Sequence, residues 1–324
     1  MKKVTLGIDI GGTNTKYGFV DKDGKIYCES SISTTTPGEN FENYLDNLHR
    51  EVMSALKNCP EKLELIGVGV GAPNGNYFNG CIEFAVNLPW KGITRIVSLM
   101  EEKFGVPAVL TNDANAAAMG EMLFGTAKGM KDFIVITLGT GVGSGIVIGG
   151  NMVYGHDGFA GELGHVVIKE GGRECGCGRH GCLTYCSANG IRRTVFEMLA
   201  NRTNPSVLRG ISYDDLTSAR IYEAAMEGDH IAREAFRYTG RILGRALADF
   251  VTFSSPEAII LFGGLAKAGE LIRQPTEEAM EESMLHCFKN KVKVLLSCLD
   301  EGNVAILGAA ALSWNELENV RKKA

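Results

Sequence analysis

Apolar residues at Phe41, Tyr44, Leu45, Leu48, Val52, Ala55 and Leu56 recur every three or four positions, which predicts an amphipathic helix over residues 40–57. Ahead of it the period shortens. Residues 4–20 read as two short strands broken by Gly11-Gly12-Thr13-Asn14, and residues 25–33 add a third strand after the turn Asp21-Lys22-Asp23-Gly24, an antiparallel meander. Residues 65–71 are too continuously apolar for a half-exposed strand and predict a buried central one. A helix over 92–104, a strand over 106–110 and a helix over 114–125 follow. Residues 134–149 then repeat the opening design, with an apolar strand, a Gly/Thr/Ser turn and another apolar strand. The stretch 151–188 is rich in loops and glycine. Beyond it, helices are expected over 188–201, 216–226 and 231–253, a strand over 258–262 ending at Gly263-Gly264, a helix over 266–288, a strand over 292–297 and a last helix over 304–321. This alternation predicts an α/β fold. No low-complexity linker interrupts it, so the expected lobe boundary falls inside compact structure. The expected lobes are 1–111 with the C-terminal helix 304–324, and 112–303 including the cysteine loop 165–182.

The 324 residues with 45% apolar content suffice for two lobes with their own cores. A net charge of −5 argues against a nucleic-acid or membrane-surface partner, and no run reaches the roughly eighteen apolar residues of a membrane span. A cytoplasmic protein is the expectation. Nine cysteines is an odd number, and three of them lie close together, which fits a metal site better than a disulfide framework.

Paired glycines between strands leave several backbone N–H groups aimed at one spot, a place for an anion. Asp9 ends the strand before the first such turn. It either caps the turn or, beside bound phosphate, faces a divalent cation. The second hairpin, with Leu138-Gly139-Thr140-Gly141, shifts the reading toward two halves that face one nucleotide. Two matches to dinucleotide fingerprints are set aside. In Gly67-Val68-Gly69-Val70-Gly71-Ala72 the glycines lie inside a strand, and Gly176-Cys177-Gly178-Arg179-His180-Gly181 has no strand before it.

Asn112-Asp113-Ala114-Asn115 joins a strand to a helix, where Asp113 is either an N-cap or a general base held at a strand end. Asn87, before Leu88-Pro89-Trp90, is either a turn former or an amide for sugar hydroxyls. Cys175, Cys177 and Cys182, spaced C-x-C-x4-C, with His165 ten residues upstream, make a tetrahedral Cys3His set suited to structural zinc. His180 is a substitute ligand inside the loop.

Taken in order, Asp9-Ile10-Gly11-Gly12-Thr13, Asn87-Leu88-Pro89-Trp90, Asn112-Asp113-Ala114-Asn115, Leu138-Gly139-Thr140-Gly141, Glu162-x-x-His165 and the cysteine loop closely resemble the ROK family of bacterial sugar kinases, repressors and related proteins, over essentially the whole chain. The resemblance implies an actin-like ATPase (ribonuclease H-like) fold, two lobes around a central cleft, and ATP-dependent phosphorylation of a hexose, glucose first, at its 6-hydroxyl. By that analogy Asp113 is the catalytic base, and Asn87, Asn112, Glu162 and His165 bind the sugar. Asp9 helps hold Mg²⁺, Gly11, Gly12, Thr13, Thr140 and Gly141 cradle phosphates, and Gly263 and Gly264 flank the adenosine. His165 both touches sugar and ligates Zn²⁺. A homodimer or larger homo-oligomer is implied too. One departure stands out: relatives usually read Gly-Cys-Leu-Glu-Thr-Tyr where this chain has Gly181-Cys182-Leu183-Thr184-Tyr185. The missing glutamate leaves open another hexose, such as N-acetylmannosamine, N-acetylglucosamine, fructose or mannose, or a sugar sensor of weak activity. Polyphosphate is an alternative donor. A repressor needs a helix-turn-helix before the first phosphate turn, and Asp9 is almost at the start of this sequence, so an enzyme is expected.

Overall fold

The computed structural model describes residues 1–35, 40–300 and 302–323, with side chains left out beyond 319. The chain divides into two bodies. The first comprises Met1–Gly129, Met152–Ala160 and Cys298–Ala324, and the second Met130–Asn151 and Gly161–Ser297.

In the first body, β1 (Lys2–Ile10), β2 (Asn14–Val20) and β3 (Ile26–Ser33) form the expected meander. After α1 (Phe41–Asn58), β4 (Leu63–Gly71) pairs parallel to β1. Asn40 caps α1 by accepting the Asn43 N–H at 2.9 Å, and its apolar stripe of Phe41, Tyr44, Leu45, Leu48 and Val52 is buried against Leu6, Ile8 and Val70 of the sheet. A small antiparallel sheet, β5 (Gly75–Asn76), β6 (Cys81–Glu83) and β7 (Ile93–Arg95), precedes α2 (Ile96–Phe104), β8 (Ala108–Thr111) and α3 (Asp113–Phe124). The large sheet runs β3-β2-β1-β4-β8, so the continuously apolar β4 is central, as its composition predicts. The C-terminal helix (Val304–Lys323) packs on β1, β4 and α3. A Cβ on Gly69 would lie 1.7 Å from the Ala309 carbonyl oxygen. Gly69 is therefore there to let a helix backbone approach.

In the second body, β9 (Phe133–Leu138) and β10 (Val142–Ile148) form the second hairpin, with β11 (Asn151–Met152) at its edge. Helices α4 (Ala188–Asn201), α5 (Ser218–Met226) and α6 (His230–Ser254) precede β12 (Ala258–Phe262), and α7 (Glu270–Ser283) precedes β13 (Lys293–Leu296). This sheet runs β11-β10-β9-β12-β13. Both large sheets thus place their strands third-second-first-fourth-fifth, with an antiparallel hairpin followed by two parallel additions. The repeated hairpin motif is the visible part of a repeated sheet.

Four expectations shift. Residues 112–129 fall in the first body rather than the second, because α3 packs on the C-terminal helix, where Gly120 meets Gly308. The helix expected from residue 92 begins at Ile96, since Ile93–Arg95 pair with Cys81–Glu83. The helix expected from 266 begins at Glu270, because Gly269 at φ 60° separates it from a short turn. Finally, Cys28 and Cys59 form a disulfide, with Cα atoms 6.0 Å apart. The register shift that pairs Phe19 with Tyr27 brings Cys28, at φ 49°, toward the end of α1. Nothing in a 31-residue spacing announced it.

Candidate active site

In the first body the turn after β1 closes with the Gly11 N–H donating to the Asn14 carbonyl at 3.0 Å. A Cβ on Gly12 would lie 2.7 Å from the Asn87 carbonyl oxygen, so the phosphate-type turn and the Asn87 loop are neighbours. That loop is held from three directions. Leu88 is buried, Trp90 packs on Phe41 and Tyr44 with ring centroids 4.9 and 4.5 Å away, and Lys91 Nζ donates to the Val86 and Leu88 carbonyls. Asn87 itself stays exposed.

Asn112, rather than Asp113, caps α3. Its Oδ1 accepts the Asn115 N–H at 2.7 Å, while Asp113 is the first helical residue and accepts the Ala114 N–H at 2.8 Å. The cap occupies the Asn112 oxygen and leaves its NH₂ as the group for a ligand. Part of Asp113 is open to solvent, yet the surrounding protein desolvates its carboxyl and raises it above the usual carboxylate range, against the pull of the Ala114 N–H. Asp9 is pushed up to about 6 by burial and by the Asp113 charge, with Lys16 pulling the other way. The Asp9 carboxylate, at the end of β1 beside a backbone anion cradle, is a hard oxygen donor that fits Mg²⁺.

In the second body the turn Gly139-Thr140-Gly141 has open space above both glycines. It meets the Gly263-Gly264 turn at Leu138. The Leu265 N–H donates to the Leu138 carbonyl at 3.1 Å, and Gly263, at φ 101°, leaves only 3.0 Å between an added Cβ and that same carbonyl. The expected phosphate and adenosine glycines therefore share one neighbourhood. The Glu162–His165 turn lies against β10, where Ser144 Oγ donates to the Gly161 carbonyl and accepts the Leu163 N–H at 3.2 Å.

His165, Cys175, Cys177 and Cys182 bring their donor atoms within 4.8 Å of one another. The Cys175 Sγ to His165 Nδ1 distance is 3.5 Å and the Cys177 to Cys182 Sγ distance is 3.7 Å. Tetrahedral zinc with arms near 2.3 Å spaces its ligands by about 3.8 Å, so the set fits Zn²⁺. Hydrogen bonds from Arg179 lower the Cys177 thiol, as a thiolate ligand requires, while burial raises Cys182. His180 is exposed and outside the cluster, which removes it as the substitute ligand. Leu183–Cys186 form one short turn before the Ser187 cap of α4, and residues 181–187 carry no carboxylate.

Paired five-stranded sheets of one strand order, each opening on a glycine-rich turn, define a protein of the actin-like ATPase fold. The chain belongs to the ROK family, whose pattern matches residues 5–316. It is 36% identical over 285 residues to the glucokinase of Halalkalibacterium halodurans, covering 85% of this chain and 84% of that one. It is 32% identical over 311 residues to the glucokinase of Thermotoga maritima, covering 95% and 96%. A solved ROK family glucokinase from Streptomyces griseus, in complex with glucose and AMPPNP, superposes with a TM-score of 0.79 at 33% identity, covering 96% of this chain and 99% of that one.

Proposed function

We propose that this protein is an ATP-dependent hexokinase that phosphorylates the 6-hydroxyl of a hexose, glucose first, with Asp113 as general base. The observation that carries this reading is the setting of Asp113. It is the first residue of α3 at a strand-to-helix junction set by the Asn112 cap, with its side chain open to solvent and one carboxyl oxygen on the Ala114 N–H, where a base can meet a hydroxyl. Relatives named glucokinase, similar over more than four-fifths of the chain, supply the substrate class. In this reading Asp113 takes the proton of the attacking hydroxyl. The Asn112 NH₂, Asn87 and Glu162 bind the other hydroxyls and hold the sugar in line. His165 turns Nδ1 toward Cys175, so Nε2 is the nitrogen left for the sugar. The backbone N–H groups of Gly11, Gly12, Thr13, Thr140 and Gly141 hold the phosphates, and Gly263 and Gly264 flank the adenosine.

Mg²⁺, held through water by Asp9, would neutralise phosphate charge, and Zn²⁺ on His165 and the three cysteines would orient that imidazole. A homo-oligomer in the cytoplasm completes the reading. No helix among the described residues is long and apolar enough to cross a membrane.

The test is ADP release with glucose, mannose, fructose, N-acetylglucosamine and N-acetylmannosamine. Glucose should give the highest kcat/KM, and Asp113→Asn should lose turnover by roughly 10²–10⁴-fold while still binding sugar. Near-full turnover by that variant removes Asp113 from the mechanism. A second reading rests on the missing carboxylate at 181–187: a sugar-binding protein without turnover, favoured if sugars bind and none yields ADP.

A further inference from the structure

Tyr44 lies on the first turn of α1, where its N–H donates to the Asn40 carbonyl at 3.2 Å, and only 1% of it is exposed. A phenol taken that far from water needs a partner for its hydroxyl. It has one on β2. Thr15 Oγ1 lies 2.7 Å from the Tyr44 hydroxyl and 2.8 Å from Thr34 Oγ1, so three buried hydroxyls are joined in a row. Phe at 44 and Val at 15 would fill almost the same space, so these hydroxyls serve direction rather than burial.

Both threonines frame the glycine-rich turn of the first body. Thr15 is the second residue of β2, directly after the turn, and the Thr34 N–H donates to the Thr13 carbonyl at 2.9 Å. Two of the four turn residues are glycine, so little in the turn itself fixes its backbone. The other face of Tyr44 is its ring, 4.5 Å from that of Trp90, three residues beyond Asn87. Turn and loop also abut, Gly12 against the Asn87 carbonyl. One buried side chain therefore reaches both segments, through different atoms. Every residue in this chain of contacts belongs to the first body.

We propose that Tyr44 is a positioning residue with two outputs: its hydroxyl, through Thr15 and Thr34, sets the backbone of the Gly11–Asn14 turn, and its ring, through Trp90, sets the Asn87 loop. The proposal rests on the hexokinase reading for what the two segments hold, phosphate in the turn and sugar at Asn87. A cradle of backbone N–H groups binds an anion well only if their directions are fixed before it arrives, since otherwise binding must supply that order. The row of hydroxyls fixes them in advance. The loop has further supports in buried Leu88 and the Lys91 hydrogen bonds, so loss of the Tyr44 hydroxyl alone leaves it in place.

Tyr44→Phe keeps the ring on Trp90 and is expected to raise the ATP KM roughly three- to tenfold, with the hexose KM unchanged. Thr15→Val should reproduce it, and Thr15→Ser, which keeps the hydroxyl, should behave as the wild type. Trp90→Leu acts on the other output and should raise the hexose KM by a similar factor with the ATP KM unchanged. Amide hydrogen exchange at Gly11 and Thr34, whose N–H groups are bonded within and beside the turn, should quicken in Tyr44→Phe and Thr15→Val and not in Thr15→Ser. That measurement needs no turnover. A protein that phosphorylates no hexose but shows the exchange pattern overturns the hexokinase reading and keeps Tyr44 as the support of the turn. Unchanged exchange in both Tyr44→Phe and Thr15→Val overturns the proposal, and so does an equal rise in the two KM values in Tyr44→Phe. If Tyr44→Phe does not fold, Thr15→Val carries both measurements.

Discussion

Burial and the Asp113 charge make ionisation of Asp9 costly, and this sets a pH dependence. A carboxyl raised to about 6 in the fold from 3.8 holds its proton more tightly folded than unfolded. Its contribution to stability is therefore best at low pH and worsens as pH rises through that window. Asp9→Asn removes the charge. Without Mg²⁺ it should match the wild type near pH 4 and exceed it by up to roughly 3 kcal/mol at pH 8 in urea unfolding. Added Mg²⁺ should stabilise the wild type and not the variant, and an equal gain at both pH values would rule out the charge as the cause. In the proposed reading Asn112 also has two jobs on two atoms, the cap on Oδ1 and the sugar on its NH₂. Asn112→Ala loses cap and ligand group together, at a cost of about 1 kcal/mol in stability, whereas Asn112→Ser keeps the cap. Both should weaken hexose binding, and only the alanine should lower Tm.

At the scale of elements, the disulfide between Cys28 and Cys59 ties β3 to the end of α1 and closes a loop with a sequence separation of 31. Removing it frees the unfolded chain by about 3–4 kcal/mol. Cys28→Ser and Cys59→Ser should each lose about that much in equilibrium unfolding, and the double variant no more than either, since one cross-link is lost in all three. What could be read in advance follows from range. The stripe from Phe41 to Val52 is local and periodic, and the helix lies where the period puts it. The two hairpins and the cysteine loop declare themselves through neighbours within about twenty positions. The strands Gly75–Asn76 and Cys81–Glu83 have two and three residues, too few to show a period. The Tyr77–Tyr154 stack and the Cys28–Cys59 bond join positions that only the folded sheet brings together. The β4 glycines are visible as a pattern, but what Gly69 makes room for, the C-terminal helix backbone at Ala309, stands more than two hundred residues away.

Across the whole molecule the chemistry is divided between bodies built on one sheet plan. Asp9, the Gly11–Thr13 turn, Asn87, Asn112 and Asp113 belong to the first, while Glu162, His165, the Gly139–Gly141 and Gly263–Gly264 turns and the cysteines belong to the second. Within the second body the cysteine set spans 165–182, next in sequence to Glu162, whereas Gly139–Gly141 and Gly263–Gly264 sit at the ends of β9 and β12 and are fastened to each other through Leu138. Strand pairing holds those turns: β12 runs parallel to β9 from Ala258 beside Phe133 to Phe262 beside Thr137. No metal ligand contributes to that pairing. In the proposed reading, stripping zinc with a chelator should therefore loosen His165 and the Glu162 turn while leaving the Gly139–Gly141 and Gly263–Gly264 turns in place. Elemental analysis is expected to find one zinc per chain. Its removal should raise the hexose KM by at least tenfold, as second-sphere losses at metal sites do, with the dissociation constant of a nonhydrolysable ATP analogue unchanged. Cys177→Ser should reproduce the pattern. If the ATP analogue is lost in parallel, the zinc supports the second body as a whole, and the division of labour between cysteine loop and strand ends is wrong.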